Sequence, residues 1–134
     1  MILIDDDQRT LHLTRGDKTD GTLNKVAFYL PYYDDTTKTE KNYMFEVGDK
    51  ISFVVMKKKG YTKQEILRKE FTLTEATECP EITLSATDTK KFELANKTIT
   101  YWYEITLNDN MTILGYDEEG ASKLIVYPES GESN

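Results

Sequence analysis

The segment Gly48-Asp49-Lys50-Ile51-Ser52-Phe53-Val54-Val55 joins a glycine–acid turn to an unbroken run of β-forming residues. Branched and aromatic side chains favour extended strands, whereas glycine followed by aspartate favours a turn. Because the strand Lys50–Met56 is apolar on both faces from Val54 onward, we expect it to lie centrally in a sheet. The segment Tyr101–Leu107 has the same β-forming character, with apolar residues at every second position.

Shorter segments of this kind recur along the chain and are separated by polar turns. Gln64–Leu73 has a spacing of apolar residues that suits a helix, but its β-formers favour a strand that pairs with Lys50–Met56 as a hairpin. Asp34–Lys41 is polar throughout and is predicted to be a loop, and Thr87–Leu94 is predicted to hold one helical turn. The pattern predicts an all-β protein, an antiparallel β-sandwich of immunoglobulin-like type with about seven to nine strands and at most one short helix.

Length and composition indicate one globular domain. The chain has 134 residues, of which 38% are hydrophobic and 31% are charged, as is typical of soluble globular proteins. A chain of this size buries enough surface to fold without a disulfide or a metal ion. We expect residues 1–128 to form a single β-sandwich domain and residues 129–134 to form a polar C-terminal tail.

The charge of the chain argues against nucleic acid as a partner. It carries 17 basic and 24 acidic residues, for a net charge of −7, and such a field repels a phosphate backbone. Because no apolar run approaches the roughly 18 residues of a membrane-spanning helix, we also expect no membrane insertion. Residues 1–7 lack the basic start and the long apolar middle of a secretory signal peptide.

The sequence holds few residues that point to catalysis. Cys79 is the only cysteine and His12 the only histidine, so an intramolecular disulfide is excluded and a nucleophile–base pair would need these two to meet. A calcium loop needs ligands that alternate along a turn with a shaping glycine, and the acidic groups at 5–7, 34–35 and 117–119 do not show that spacing, so we interpret them as solvated edges. We therefore predict that the protein is not an enzyme, with no catalytic residues, no metal site and no cofactor.

Arg15-Gly16-Asp17 spells a tripeptide that some cell-adhesion ligands use. Glycine and aspartate after a strand also form an ordinary turn, and the same dipeptide recurs at Gly48-Asp49 without an arginine. A turn needs Gly16 for its backbone conformation but does not need the guanidinium. We therefore expect Arg15 to have no adhesion role and its side chain to have little effect on stability.

Tyrosines concentrate in the segment between Tyr29 and Tyr43. A tyrosine combines apolar area with a polar tip, which suits either a sugar platform or a contact with another protein. Packing of the segment onto its own sheet explains the same residues without any ligand. Tyr32, Tyr33 and Tyr43 are our candidates for contacts with a partner.

A series of motifs follows one order along most of the chain. The motifs are the leader Met1-Ile2-Leu3-Ile4-Asp5-Asp6, the strand end Leu13-Thr14-Arg15-Gly16-Asp17, the strand opening Tyr43-Met44-Phe45-Glu46-Val47-Gly48-Asp49-Lys50-Ile51-Ser52-Phe53-Val54-Val55, the segment Ile66-Leu67-Arg68-Lys69-Glu70-Phe71, the turn Asp88-Thr89 and the strand Tyr101-Trp102-Tyr103-Glu104-Ile105-Thr106-Leu107. In this order the chain resembles the small phage and prophage tail proteins of Gram-positive bacteria that are related to the N-terminal domain of the baseplate upper protein.

The resemblance implies a structural adaptor that docks into a tail-tip assembly by protein–protein contact and has no catalytic activity. Its partners would be other tail or baseplate proteins, and homo-oligomerisation is left open. Its location would be the tail tip of the virion, and the bacterial host cytoplasm during assembly. The alternative is a stand-alone carbohydrate- or surface-binding β-sandwich module that uses the tyrosine segment.

Overall fold

The two segments with the strongest β-forming character in the sequence, Lys50–Met56 and Tyr101–Leu107, pair with each other in the interior of a seven-stranded sheet. The computed structural model describes residues 2–4, 10–17, 26–57, 65–94, 96–114 and 122–128. Its elements are β1 (Ile2–Ile4), β2 (Leu11–Thr14), β3 (Val26–Ala27), β4 (Pro31–Asp34), β5 (Thr39–Asn42), β6 (Lys50–Met56), β7 (Glu65–Thr72), β8 (Glu81–Ile82), α1 (Ala86–Thr89), β9 (Ile99–Leu107), β10 (Met111–Leu114) and β11 (Lys123–Tyr127).

The protein is all-β, with one helix of a single turn in the described part of the chain. The main sheet has the order β1-β2-β11-β9-β6-β7, and β10 pairs with the C-terminal half of β9. The strand prediction for Gln64–Leu73 is confirmed over Glu65–Thr72, because β7 pairs antiparallel with β6. Two further two-stranded sheets, β3–β8 and β4–β5, accompany the main sheet.

One strand pair departs from the antiparallel arrangement that the sequence predicts. β2 and β11 run parallel, with Leu11 opposite Leu124 and Leu13 opposite Val126. The main sheet is therefore mixed. Hairpin turns identify only antiparallel neighbours that are close in sequence, and these two strands lie at opposite ends of the chain, so no local signal reports their pairing.

The core lies on one face of the main sheet. Phe53 of β6 and Tyr103 of β9 are 2% and 3% exposed, and their ring centroids are 5.5 Å apart. Other members of the core cluster come from outside the main sheet, and they are Val26, Phe45, Ile82, Leu84 and Phe92. β6 is buried on both faces from Ile51 to Met56, three residues earlier than the apolar run that begins at Val54.

Local backbone signals explain how the strands turn. Asn108 and Asp109 have φ angles of 52° and 60°, the left-handed conformation that these residue types tolerate, and they connect β9 to β10. Gly48 has a φ of 95° directly before β6. The single helical turn predicted within Thr87–Leu94 is present as α1, which begins one residue earlier, at Ala86, and ends at Thr89, and the chain continues to the buried Phe92.

Within the described ranges, no helix is long and apolar enough to cross a membrane. The predicted C-terminal tail, residues 129–134, lies outside the described residues.

Candidate functional site

The segment that holds the tyrosine candidates forms a two-stranded antiparallel ribbon rather than a loop. β4 pairs with β5 in a register that sets Lys41 opposite Tyr32 and Glu40 opposite Tyr33. The loop prediction for Asp34–Lys41 therefore holds only for the turn at residues 35–38, since Asp34 ends β4 and residues 39–41 belong to β5. That stretch lacks the apolar alternation that reports a strand packed on a core, and its strands form through backbone pairing and turn chemistry.

The turn of the ribbon is built around Asp34. Oδ1 of Asp34 accepts hydrogen bonds from the backbone N–H of Thr36 at 2.9 Å and of Thr37 at 3.4 Å. Its backbone carbonyl oxygen accepts a hydrogen bond of 2.7 Å from the N–H of Lys38, whose φ is 57°. Oδ2 lies 3.0 Å from Nζ of Lys41. The hydrogen bond from Lys41, followed by those from the turn amides, holds the pKa of Asp34 below its ordinary value.

Both faces of the ribbon are exposed to solvent. Cross-strand partners share a face of a ribbon, so one face carries Tyr33 and Glu40 and the other carries Tyr32 and Lys41. Tyr33 is 61% exposed and Tyr32 is 46% exposed. The ribbon therefore presents exposed aromatic area on both of its faces.

A shallow depression lies beside the tyrosines. Its volume is about 200 Å³, and it is lined by Pro31, Tyr32, Tyr33 and Glu40. Pockets that enclose small ligands measure about 300–1,000 Å³, so this depression is too small to surround one. Tyr33 and the carboxylate of Glu40, which line it, share one face of the ribbon, and this suits a partner that rests against the surface.

Tyr43 has a different place from the other two candidates. It is half-buried at the base of the ribbon, where its N–H donates a hydrogen bond of 2.8 Å to the carbonyl oxygen of Leu30. Its ring packs edge-on against Phe45, with centroids 4.9 Å apart. Burial raises the pKa of Tyr43, and the carboxylates of Asp49 and Glu46 raise it further. Tyr43 therefore anchors the ribbon to the core.

Apolar residues on either side of the ribbon are exposed, and the sequence does not predict that exposure. Tyr29 precedes it and is 56% exposed, and Met44 and Val47 follow it at 49% and 66%. A hydrogen bond with the thiol of Cys79, aided by the proximity of that group, raises the pKa of Tyr29. Apolar residues in a β-rich sequence are normally assigned to the core, so exposure of these side chains gives no signal in the sequence.

The arginine of the Arg15-Gly16-Asp17 turn has a structural part that the sequence does not predict. Its guanidinium donates hydrogen bonds to the backbone carbonyl oxygens of Lys90 and Phe92. These contacts argue against the expectation that the side chain of Arg15 has little effect on stability. Gly16 has a φ of 89°, which agrees with the expected need for glycine in the turn.

His12 and Cys79 have different neighbours. Nδ1 of His12 lies 2.9 Å from the hydroxyl oxygen of Tyr127, and the two rings are stacked. Cys79 interacts with Tyr29, and its backbone N–H donates to Oγ1 of Thr77. Among the residues that the structure describes, no group of three or more histidine, cysteine or acidic side chains is arranged to hold a metal ion.

Comparison of the chain with protein-family models, with curated proteins and with solved structures finds no match.

Proposed function

We propose that this protein is a non-enzymatic structural adaptor of a phage or prophage baseplate, which acts by protein–protein contact through the β4–β5 ribbon. The resemblance in sequence suggests the baseplate as the assembly in which the protein acts, and the ribbon is the proposed contact surface. The observation that carries the contact is the exposure of Tyr33 at 61% and Tyr32 at 46% on a ribbon that is open on both faces. Tyrosine is enriched at the centres of protein interfaces, because it buries apolar area and keeps a polar tip.

The partners in this proposal are other tail or baseplate proteins, and the protein resides at the tail tip of the virion after assembly in the host cytoplasm. The layers around the core form an immunoglobulin-like sandwich in this proposal. Two observations support that arrangement. β2 pairs with β11, the last strand, and Val26, Phe45 and Ile82 contribute to the core from outside the main sheet.

The ribbon would contact its partner as a rigid unit. The hydrogen bonds of Asp34 fix the tip, and the packing of Tyr43 on Phe45 fixes the base. Preorganisation of this kind lowers the entropic cost of binding, since the contact residues need not be ordered when the partner arrives.

A second candidate function is a carbohydrate- or surface-binding module. It is favoured by the depression beside Tyr33 and Glu40, where an aromatic face and a carboxylate acceptor lie together. Sugars stack on aromatic rings and donate hydroxyl hydrogen bonds to acidic side chains. The two functions use the same tyrosines, so the identity of the partner distinguishes them.

The test mixes the protein with the other tail proteins encoded beside it and measures the mass of the mixture by light scattering. We expect a complex that the Tyr32→Ala, Tyr33→Ala double variant loses while its melting temperature stays unchanged. The matched control is the Leu94→Ala, Met111→Ala double variant, which removes two exposed apolar side chains far from the ribbon in the chain. Survival of the complex in the ribbon variant would overturn the proposed contact.

A glycan array separates the second function from the first. Binding to a glycan that is lost in Glu40→Gln, together with no complex with any tail protein, would replace the adaptor by the carbohydrate-binding module. A tail-protein complex that Glu40→Gln leaves intact supports the adaptor.

A further inference from the structure

Among the described strands, β7 forms one edge of the main sheet, and none of them pairs with its outer side along its eight residues. β6 pairs with it on the inner side. Side chains along β7 alternate between the core face and solvent. An open edge of this length is a template for pairing with another strand, so the question is which strand fits it.

The hydrogen bonds at the C-terminal end of β7 show which backbone groups face outward. The N–H of Leu73 donates to the carbonyl oxygen of Asp49 at 2.9 Å, and its own carbonyl oxygen accepts from the N–H of Gly48 at 2.8 Å. Both backbone groups of Leu73 therefore face the β6 side. Because backbone groups alternate in direction along a strand, those of Arg68, Glu70 and Thr72 face outward.

Two of the three outward-facing residues carry opposite charges. The side chains of Arg68 and Glu70 are 41% and 44% exposed, and both project from the face of the sheet opposite the core. When two copies of this strand pair antiparallel about a two-fold axis at Lys69, Arg68 of each copy lies opposite Glu70 of the other. Residues opposite each other on adjacent strands attract when their charges differ.

We propose that the protein forms a two-fold dimer in which β7 pairs antiparallel with β7 of a second copy, so that one continuous sheet crosses the interface. Arg68 pairs with the partner's Glu70, and Glu70 pairs with the partner's Arg68. Each of these pairs exchanges both backbone hydrogen bonds, because both of its members have outward-facing groups. The interface is isologous and closes on itself.

The charges select this register over its neighbours. A shift by two residues in one direction sets Arg68 opposite the partner's Arg68, and in the other direction it sets Glu70 opposite the partner's Glu70. Like charges that lie directly opposite each other destabilise a strand pair. A shift by one residue sets outward-facing backbone groups opposite inward-facing ones and loses the hydrogen bonds.

The core side of the strand is compatible with the same register. Leu67 lies opposite the partner's Phe71, which extends the apolar core across the interface. Lys69 lies at the two-fold axis, where two ammonium groups would repel each other, but Nζ of Lys69 is already 3.0 Å from Oδ2 of Asp88 in its own chain. This ion pair neutralises the lysine before the copies meet.

The dimer goes beyond the proposed function, since it uses the β7 edge and leaves the β4–β5 ribbon free. Sedimentation equilibrium measures it on the purified protein alone. In a concentration series that extends to about 100 μM, we expect the wild type to form dimers. We expect the single variants Arg68→Glu and Glu70→Arg to remain monomers. Each of those variants sets like charges opposite each other in the homodimer.

Mixing the two single variants is the decisive step. In the mixed dimer every glutamate lies opposite an arginine, so we expect an equimolar mixture of Arg68→Glu and Glu70→Arg to form heterodimers. The double variant Arg68→Glu, Glu70→Arg restores the pairing within one chain and is expected to form homodimers again. Lys97→Glu and Glu75→Arg, which make the same changes of charge at exposed residues outside β7, are expected to remain dimers.

Three results would overturn the proposal. The first is a wild-type protein that stays monomeric over the whole concentration range. The second is single variants that keep the melting profile of the wild type and remain dimers. The third is a mixture that stays monomeric although the wild type dimerises. The mixing step remains informative if a single variant is less stable, because the dimeric double variant shows that both changes are compatible with the fold.

Discussion

Nε of Arg15 donates a hydrogen bond of 3.0 Å to the backbone carbonyl oxygen of Phe92. A second bond of 3.0 Å runs from the guanidinium to the carbonyl oxygen of Lys90. The N–H of Gly16 donates to Oγ1 of Thr89 at 3.0 Å, and that hydroxyl donates to the carbonyl oxygen of Asp17 at 2.7 Å. The turn after β2 is thus fastened to α1 and to the segment that follows it.

Replacement of Arg15 is expected to lower stability through the loss of these bonds. Arg15→Ala leaves the carbonyl oxygens of Phe92 and Lys90 without this donor, and hydrogen bonds from charged groups contribute about 1.5–3 kcal/mol each when protected from water. Because one of the two bonds is solvent-exposed, we expect a loss of about 1–3 kcal/mol in the free energy of unfolding. Urea denaturation measures it.

Two further variants complete this experiment. Arg15→Lys supplies a single ammonium in place of the planar guanidinium, so it is expected to recover only part of the loss. Lys97→Ala removes an exposed charge elsewhere and is expected to change little. An unchanged urea midpoint for Arg15→Ala would restore the interpretation of a turn that depends on Gly16 alone.

Phe53 tests the assignment of the core. Its side chain is 2% exposed and packs against Tyr103, so truncation removes buried aromatic area and leaves a cavity. We expect Phe53→Ala to lower the free energy of unfolding by about 3–5 kcal/mol. The exposed Leu94→Ala serves as the control, and equal urea midpoints for the two variants would contradict the core assignment.

The strands of the core were predictable because intrinsic preference and packing agree there. β6 and β9 are rich in β-branched and aromatic residues, and the apolar positions of β9 alternate with the pleat. The turn at Asn108 and Asp109 was also predictable, because few residue types accept a positive φ. In these elements each local signal reports the same structure as the tertiary contacts.

The ribbon and the Arg15 contacts were not predictable for a shared reason. Polar strands such as β5 gain nothing from a core and leave no hydrophobic period in the sequence. The bond between Arg15 and Phe92 joins residues 77 positions apart, and no local pattern reports which distant carbonyl a guanidinium will meet. The sequence identified Tyr32 and Tyr33 by residue type, but the fold determines that they are exposed and that Tyr43 is not.

Asp88 is expected to make stability depend on pH in the acid range. Burial by itself raises the pKa of this carboxyl, but hydrogen bonds from the N–H of Ser85 at 2.9 Å and from Lys69 hold the pKa below its ordinary value. A pKa that is lower in the folded state contributes stability above the unfolded value of about 3.9, and this contribution is lost as the pH falls through the folded pKa.

The corresponding variant is Asp88→Asn, which cannot titrate. We expect it to be less stable than the wild type at neutral pH and to lose less stability as the pH falls from about 4 toward 2. Asp35→Asn removes an exposed carboxylate from the ribbon turn and is the matched control. Thermal melts over this pH range measure the effect, and parallel curves for wild type and Asp88→Asn would refute it.

The adjacent residues Tyr101 and Trp102 of β9 differ in whether their polar side-chain atom has a hydrogen-bond partner. The hydroxyl of Tyr101 accepts a hydrogen bond of 2.9 Å from the N–H of Glu93, and Tyr101 is 1% exposed. Tyr101→Phe leaves that N–H without its acceptor, so we expect it to lower the free energy of unfolding by about 1–2 kcal/mol.

Trp102 presents the reverse case, because its Nε1 is buried and has no hydrogen-bond partner among the described residues. A buried donor without an acceptor is itself a cost, and Trp102→Phe removes that donor along with part of the ring. The two effects oppose each other, so we expect a smaller loss for Trp102→Phe than for Tyr101→Phe. Urea denaturation followed by circular dichroism compares them, since Trp102 is the only tryptophan and its fluorescence disappears with it. A larger loss for Trp102→Phe would mean that its indole N–H has an acceptor in solution or that the packing of the ring outweighs the unsatisfied donor.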